Sequence, residues 1–296
     1  MKYNRLGNSD ISVSEIGMGC MSLDLSKLQE SQYLIHQALD NGINYFDTAD
    51  LYNFGDNERF LGETVKGKRE NLIIATKVGN KWNADKTGWS WDVSSDYIYK
   101  AVDESLKRLK TDYIDLYQIH GGTKEDGFDE ILSTLENLIK QGKIRTYGIS
   151  SIRPNVFLKY INHSHIASNM MQYSLLDTRP EEYLDKFYQK NISILARGAF
   201  AQGILLGKPS NGYLDHNNQA IQTILDYLEK TAKKYSVTKQ AIALSYLTSY
   251  KGVTSAVVGI RTKEQLIELL EAESQLSNFD FSDWTLPKIS YTSNLI

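Results

Sequence analysis

The chain has 296 residues, of which 41% are hydrophobic and 23% are charged, and its formal net charge at pH 7 is −3. This is the composition of a folded globular protein, and it excludes a disordered chain. A weakly acidic chain without long charged runs is not expected to bind nucleic acid. Cys20 is the only cysteine, and no segment reaches the roughly 20 apolar residues that span a membrane. We therefore expect a cytoplasmic protein without an internal disulfide.

Short apolar runs alternate with amphipathic segments along the chain. The apolar runs predict strands at 15–19, 43–46, 72–76, 113–119, 144–149, 166–171, 192–196 and 254–258. The amphipathic segments predict helices at 27–40, 57–66, 95–109, 128–140, 154–163, 180–189, 217–234 and 263–276. About eight strand–helix repeats predict an α/β protein with one (β/α)8 TIM barrel domain over 1–296. An open doubly wound sheet is the alternative, but no G-x-G-x-x-G follows an early strand.

Three segments fall outside this repeat. Residues 2–14 predict a β-hairpin that turns near 7–10 and closes the lower end of the barrel. Residues 79–94 form a long polar loop, and residues 198–216 form a loop that contains glycines. The tryptophans of the first loop are Trp82, Trp89 and Trp91. We weigh two interpretations of them equally, as anchors of their loop and as walls of a substrate pocket.

Ionisable residues follow three successive predicted strands. Asp47 follows INYF, Lys77 follows LIIAT, and His120 follows YIDLYQI. In a barrel these strand ends open on one face, where catalytic residues lie, and Tyr52 in the loop after Asp47 can reach the same face. Taken singly, such residues are more often a turn cap, a solvated lysine or a core histidine. Their occurrence at consecutive strand ends favours a catalytic site.

At these residues the chain resembles a known family. The segments FDTADLY, ATKVG and LYQIHGG resemble the signature segments of the aldo-keto reductases, NADPH-dependent carbonyl reductases built on a (β/α)8 barrel. The resemblance extends from the N-terminal hairpin to about residue 272 and includes SLKRLKTDYIDLYQIH, IKQGKIRTYGIS and QYSLLDTRPEE. It implies a catalytic tetrad of Asp47, Tyr52, Lys77 and His120.

The tetrad suits reduction of a carbonyl group by hydride, which needs a proton donor to the developing alkoxide. Free tyrosine has a pKa of about 10 and so holds its proton at neutral pH. The ammonium group of Lys77 would stabilise the phenolate that Tyr52 becomes. Asp47 would keep that ammonium charged and in place, and His120 would orient the substrate oxygen.

The resemblance also implies contacts to the nicotinamide end of the cofactor. Ser150 and Ser151 would face the carboxamide, although they also suit a simple helix cap. The family's usual glutamine position holds Met170, and Gln172 shares its strand face and would replace it. Arg197, followed by Gly198, stands where relatives place an aromatic ring against the nicotinamide. A guanidinium plane can stack on a ring as well.

The adenosine end of the cofactor is expected at the last predicted helix. The resemblance places its contacts at Gly259, Arg261, Gln265 and Glu268. Thr262 and Gln265 form a T-x-x-Q capping box, so this helix N-terminus can accept an anion. Arg261 is at the position that relatives use for the adenosine 2′-phosphate, which favours NADP(H) over NAD(H). An ordinary solvated arginine is the alternative.

The leading hypothesis is an NADPH-dependent reductase of a small-molecule aldehyde or ketone, with no metal site. A second is a regulatory barrel that binds NADP(H) with little turnover. A third is a Schiff-base lyase that uses Lys77, although an aspartate-paired lysine is a poor nucleophile. The sequence leaves the identity of the carbonyl compound and the oligomeric state open.

Overall fold

The structure, a computed structural model, describes residues 1–162 and 166–292. Its strands are β1 (Tyr3–Arg5), β2 (Ser12–Ser14), β3 (Ile16–Gly19), β4 (Tyr45–Asp47), β5 (Ile73–Val78), β6 (Asn80–Trp82), β7 (Trp89–Trp91), β8 (Ile114–Ile119), β9 (Ile144–Ile149), β10 (Ser168–Gln172), β11 (Ser193–Arg197) and β12 (Val253–Gly259). Its helices are α1 (Leu28–Asp40), α2 (Asp56–Thr64), α3 (Ser95–Leu109), α4 (Phe128–Lys140), α5 (Pro154–Ile161), α6 (Glu181–Gln189), α7 (Asn218–Tyr235), α8 (Lys239–Thr248) and α9 (Lys263–Ser274).

Eight of the strands form a closed parallel barrel. Their order around it is β3-β4-β5-β8-β9-β10-β11-β12, and β12 pairs again with β3. Helices between successive strands surround the barrel, so the predicted (β/α)8 fold is confirmed. The last residue of the helix predicted over 154–163, and residues 293–296 of the predicted domain, lie outside the described residues. In the part that is described, no helix has the length and apolar character needed to cross a membrane.

The N-terminal hairpin closes the lower end of the barrel, as predicted. Strands β1 and β2 pair antiparallel, and Leu6, Ile11 and Val13 are buried in one cluster with the inner residues of the barrel. Gly7 has a φ of +53°, and a Cβ atom there would lie 2.2 Å from the carbonyl oxygen of Ala167. Only glycine fits a backbone turn pressed this closely against a strand.

The alternation of side chains along the barrel strands sorts them into layers. A lower inner layer packs against the hairpin and consists of Tyr45, Ala75, Leu116, Met170, Leu195 and Val257. Two residues further along the same strands, the upper positions are Asp47, Lys77, Gln118, Gln172, Arg197 and Gly259. The interior therefore changes from apolar to polar and charged toward the C-terminal ends of the strands.

Two elements differ from the predictions. Helix α8 was not predicted, because its residues 241–247 are all buried and show no polar face for a helical pattern to reveal. Residues 79–94, predicted to be a loop, contain the antiparallel hairpin of β6 and β7. This hairpin lies directly after β5 and so next to the upper end of the barrel.

Candidate active site

Lys77, near the end of β5, lies at the centre of the upper layer. Its side chain is 1% exposed, and its Nζ atom donates to Asp47 Oδ2 at 2.6 Å and to the Thr48 carbonyl at 2.7 Å. The Tyr52 hydroxyl lies 3.4 Å from the same nitrogen. The three donors of the ammonium group therefore each have an oxygen partner, and one partner is the phenol.

The electrostatics of this pair favour a charged lysine. Burial alone would lower the pKa of Lys77, but Asp47 and Tyr52 outweigh burial and raise it above its usual value. Burial raises the pKa of Asp47, against the opposing effect of Lys77 and of a hydrogen bond from Gln118 Nε2 at 3.4 Å. Gln118 had not been singled out from the sequence, although it lies on the same strand face as His120.

Tyr52 is held by the turn that follows β4. Asn53 and Phe54 both have left-handed φ values, of 50° and 56°, which are uncommon for residues other than glycine. The β6–β7 hairpin braces this turn, since Trp82 Nε1 donates to the Leu51 carbonyl at 3.0 Å. The Trp82 ring also packs on Phe54 with 4.1 Å between ring centroids. The hairpin thereby fixes the residues on either side of Tyr52.

His120 follows β8 and faces Tyr52. The two rings meet edge to face with their centroids 5.8 Å apart, and Asn80 Nδ2 donates to the His120 carbonyl at 3.1 Å. Burial, together with the positive charges of Lys77 and Arg197, lowers the pKa of His120 to about 3. The imidazole is therefore neutral at pH 7 and suited to orienting an oxygen by hydrogen bonding. The structure thus brings the four predicted tetrad side chains together, while their catalytic roles stay predictions.

The tryptophans of the 79–94 segment differ in their surroundings. Trp91 Nε1 donates to Asp126 Oδ1 at 2.8 Å, and Trp82 is bound to the Tyr52 turn as described. Trp89 is 54% exposed. Trp82 and Trp91 thus anchor their segment, and Trp82 does so directly beside the tetrad.

Ser151 is buried after β9 and is held by Asn169 on β10. Asn169 Oδ1 accepts from the Ser151 N–H, and Asn169 Nδ2 donates to the Ser151 carbonyl, both at 3.1 Å. The Ser151 hydroxyl accepts from the Arg153 N–H at 3.3 Å, which is a turn contact ahead of α5, whose N-cap residue is Arg153 and not Ser151. Ser150, half-buried, precedes this turn. Asn169 had not been singled out from the sequence, where it lies among the polar and apolar residues SNMMQ of β10.

Gln172 and Arg197 pair across β10 and β11 at the mouth of the barrel. Gln172 Nε2 donates to Asp177 Oδ2 at 3.0 Å and to the Tyr213 hydroxyl at 3.1 Å. Gln172 Oε1 accepts from Arg197 Nη1 at 3.4 Å. Met170 is instead buried in the lower layer, so Gln172 is the one of the two that reaches the mouth.

Two glycines flank this mouth. Gly198, directly after Arg197, has a φ of +76°, and an added Cβ would meet only Gln172 Cγ, at 3.5 Å. Gly259 ends β12, and a Cβ there would lie 2.1 Å from the hydroxyl oxygen of Ser22. Gly198 is thus favoured by its left-handed backbone conformation, and Gly259 by the lack of room for a Cβ atom beside Ser22.

The N-terminus of α9 has one half of the predicted capping box. Thr262 Oγ1 accepts from the Gln265 N–H at 3.3 Å, but Gln265 Oε1 accepts from the Arg261 N–H at 2.8 Å rather than from Thr262. Arg261 is exposed, and within residues 1–162 and 166–292 no carboxylate pairs with it. Glu268 is exposed and accepts from Gln240 Nε2 at 3.4 Å.

Comparisons with known proteins agree with this geometry. The model of the Aldo/keto reductase family matches residues 15–286. An uncharacterised oxidoreductase of Bacillus subtilis, YqkF, is 45% identical over 281 residues, which is 92% of this chain and 91% of that protein. A Schizosaccharomyces pombe protein named aldo-keto reductase yakc [NADP(+)] is 30% identical over 267 residues, 82% of this chain and 78% of its own length.

A solved structure gives the same result. The holo form of aldo-keto reductase AKR11C1 from Bacillus halodurans superposes with a TM-score of 0.84 at 40% identity, and the match covers 96% of this chain and 99% of that one. Membership of this family, together with a holo structure of this likeness, implies that the chain binds a nicotinamide cofactor. The chain belongs to the aldo/keto reductase family of oxidoreductases.

Proposed function

We propose that this protein reduces an aldehyde or ketone to an alcohol with NADPH, and that Tyr52 is the general acid. The observation that carries this proposal is the contact chain at the barrel mouth. Asp47 lies 2.6 Å from the Lys77 ammonium, and the ammonium lies 3.4 Å from the Tyr52 hydroxyl. A phenol beside a buried cation is a proton donor whose conjugate base is stabilised in advance.

The residues of the upper face fit a phosphorylated dinucleotide. Arg261 is an exposed guanidinium at the N-terminus of α9, and Lys263 begins the helix itself. Helix N-termini and guanidinium groups are the donors that bind phosphate most strongly in proteins. Gln265 and Glu268 lie on the first turns of the same helix, beside the ribose and adenine that would follow. For the other end of the cofactor, the proposed contacts lie at or directly after the C-terminal ends of β9, β10 and β11, and they are Ser150, Ser151, Gln172 and Arg197.

In the proposed mechanism, the bound reduced nicotinamide supplies the hydride. Tyr52 and neutral His120 donate hydrogen bonds to the carbonyl oxygen and so hold it in place. As negative charge develops on that oxygen, Tyr52 transfers its proton to it. Lys77 stabilises the resulting phenolate, and Asp47 keeps Lys77 charged and fixed. After the alcohol leaves, the phenolate takes a proton from solvent.

The environment of Lys77 argues against a Schiff-base lyase. Its amine is nearly inaccessible, makes three oxygen contacts and has a raised pKa. A nucleophilic lysine needs an accessible, neutral amine.

The test is the consumption of NADPH with a panel of aldehydes and ketones. NADPH deuterated at the transferred position should deliver one deuterium to the carbinol carbon of the product, as seen by NMR. The proposal fails if the protein binds NADPH but leaves every member of a broad panel unreduced. That result would favour the regulatory barrel.

A further inference from the structure

Arg197 has an unusual place for a cation. It ends β11 on the inner face of the barrel, in the same upper layer as Lys77 and Gln172, and its side chain is exposed. Its positive charge contributes to the low pKa of His120 and acts on Asp47 as well. The guanidinium group therefore lies at the reacting end of the barrel mouth and not on a remote surface.

The charge of Arg197 has no anion of its own. Within the described residues, its guanidinium forms no ion pair, and its hydrogen bond goes to the neutral oxygen of Gln172 at 3.4 Å. The carboxylate it acts on, Asp47, is already paired with Lys77. By contrast, Arg179 binds Asp177 at 2.7 Å and Arg108 binds Glu58 at 2.6 Å.

The orientation of Gln172 explains how Arg197 is held without being neutralised. Asp177 is fully buried and paired with Arg179, and its carboxylate only accepts hydrogen bonds. It therefore requires the NH2 group of Gln172 to face it, as observed at 3.0 Å. The amide oxygen must then point the other way, toward Arg197. A neutral acceptor positions the guanidinium and leaves its charge available.

An anionic group at the mouth would complete this arrangement. A guanidinium forms two parallel, charge-assisted hydrogen bonds with a carboxylate or phosphate, and these are stronger than bonds between neutral groups.

We propose that Arg197 selects carbonyl substrates that carry an acidic group, a carboxylate or a phosphate, on the aldehyde or ketone. The inference rests on the proposed reductase function and names the class of substrate for the same site. Neutral aldehydes of the same shape are accepted less well because the guanidinium then stays unpaired.

The kinetic test compares 4-carboxybenzaldehyde with its neutral counterpart, methyl 4-formylbenzoate. The ratio of kcat/KM for the acid to kcat/KM for the ester should exceed one in the wild type. In Arg197→Met this ratio should fall about 10- to 100-fold, the range for a hydrogen bond to a charged group. Any effect on the cofactor cancels in the ratio. Arg197→Lys should recover part of the wild-type preference for the acid over the ester.

Arg5→Met is the matched control, since it removes the same charge from the N-terminal hairpin at the opposite end of the barrel. It should leave the ratio as in the wild type. An equal fall in Arg5→Met would mean that overall charge, and not Arg197, sets the preference, and would overturn the proposal.

A binding measurement keeps the proposal testable without turnover. The alcohols 4-(hydroxymethyl)benzoate and its methyl ester are titrated into protein with NADP+, and the ratio of their Kd values is compared between wild type and Arg197→Met. A loss of preference for the acid supports the proposal even if no aldehyde is reduced, in which case only the reductase function fails. An unchanged ratio of the two Kd values would overturn the proposal. Equal weakening of both alcohols together with weaker binding of NADP+ would make Arg197 a cofactor contact and would overturn the proposal as well.

Discussion

The two ends of the barrel use buried acids in opposite ways. At the lower end, Asp115 is fully buried on β8, and both of its oxygens are occupied. Oδ2 accepts from Arg69 Nη2 at 2.7 Å and from the Ile74 N–H at 2.9 Å, and Oδ1 accepts from Arg145 Nη1 at 2.8 Å. Arg145 also reaches Asp10 in the N-terminal hairpin at 3.3 Å.

At the upper end, the buried pair of Asp47 and Lys77 is part of a network whose polar groups are not all paired within the protein. Lys77 reaches the Tyr52 hydroxyl, His120 Nδ1 has no hydrogen-bond partner in the described part of the chain, and Arg197 and Arg261 lack carboxylate partners there. A saturated network fixes the hairpin against the barrel, whereas an unsaturated one leaves donors and cations for ligands. We therefore expect substitutions in the lower network to change mainly stability and substitutions in the upper network to change mainly activity.

The buried acid at the lower end should matter most for stability. Asp115→Ala leaves Arg69 and Arg145 without their buried partner, so the free energy of unfolding should fall by about 3–5 kcal/mol, the usual result of breaking a buried pair. Urea unfolding followed by circular dichroism measures this fall. The kcat of the folded enzyme should change little. A large loss of kcat at unchanged stability would contradict the division between the two ends.

At the upper end, Lys77→Met should lower kcat by a factor of about 100 or more, the scale of a lost general-acid system. The phenolate of Tyr52 then forms without its neighbouring cation. Because the two residues act as a unit, the double variant with Tyr52→Phe should be hardly worse than either single variant. Steady-state kinetics of all four proteins decides this. Losses that add in the double variant would show that the residues act separately.

Arg261→Ala should weaken NADPH by about 1.5–3 kcal/mol, the range for hydrogen bonds to charged groups. NADH lacks the 2′-phosphate, so its affinity should stay nearly constant, and added salt should narrow the gap between the cofactors in the wild type. Isothermal titration measures both affinities. Arg59→Ala, on the exposed face of α2, is a control that removes the same charge. Equal losses for NADPH and NADH would make Arg261 an ordinary surface charge.

His120 should make the stability of the protein depend on pH. The pKa of His120 is about 3 in the folded protein and near 6.5 when unperturbed. Between these values the unfolded chain binds more protons, so His120 destabilises the fold increasingly as the pH falls from 6.5 toward 3. Between pH 8 and pH 5 the wild type should lose about 1–2 kcal/mol more stability than His120→Gln. Urea unfolding at both pH values tests this, and equal losses would mean that His120 is protonated normally.

Much of this organisation could be predicted from the sequence. The alternation of apolar and amphipathic segments predicted the barrel, and the positions of Asp47, Lys77 and His120 after successive strands predicted which side chains would meet. These predictions succeed because side chains at equivalent strand positions share one end of a parallel barrel. The position of each residue relative to its own strand is therefore enough to place its side chain at the upper end.

Features that depend on distant contacts could not be predicted in this way. Helix α8 is buried on every side, so its sequence lacks the polar stripe by which helices are recognised. Gln172 also donates to the hydroxyl of Tyr213, 41 residues further along the chain, and Ser151 is held by Asn169 on the next strand. These side chains meet only in the folded barrel, so their contacts cannot be predicted from the spacing of residues along the chain.

In the proposed mechanism, Tyr52 gives the proton to the substrate oxygen. The most direct test of this step is kcat for Tyr52→Phe with an aldehyde that the wild type reduces, measured on protein whose NADPH affinity has been determined by titration. The phenyl ring keeps the packing against His120 and removes only the hydroxyl near Lys77. We predict that kcat falls by a factor of about 100 or more while the Kd for NADPH stays close to that of the wild type. Retention of most of the wild-type kcat would contradict the account.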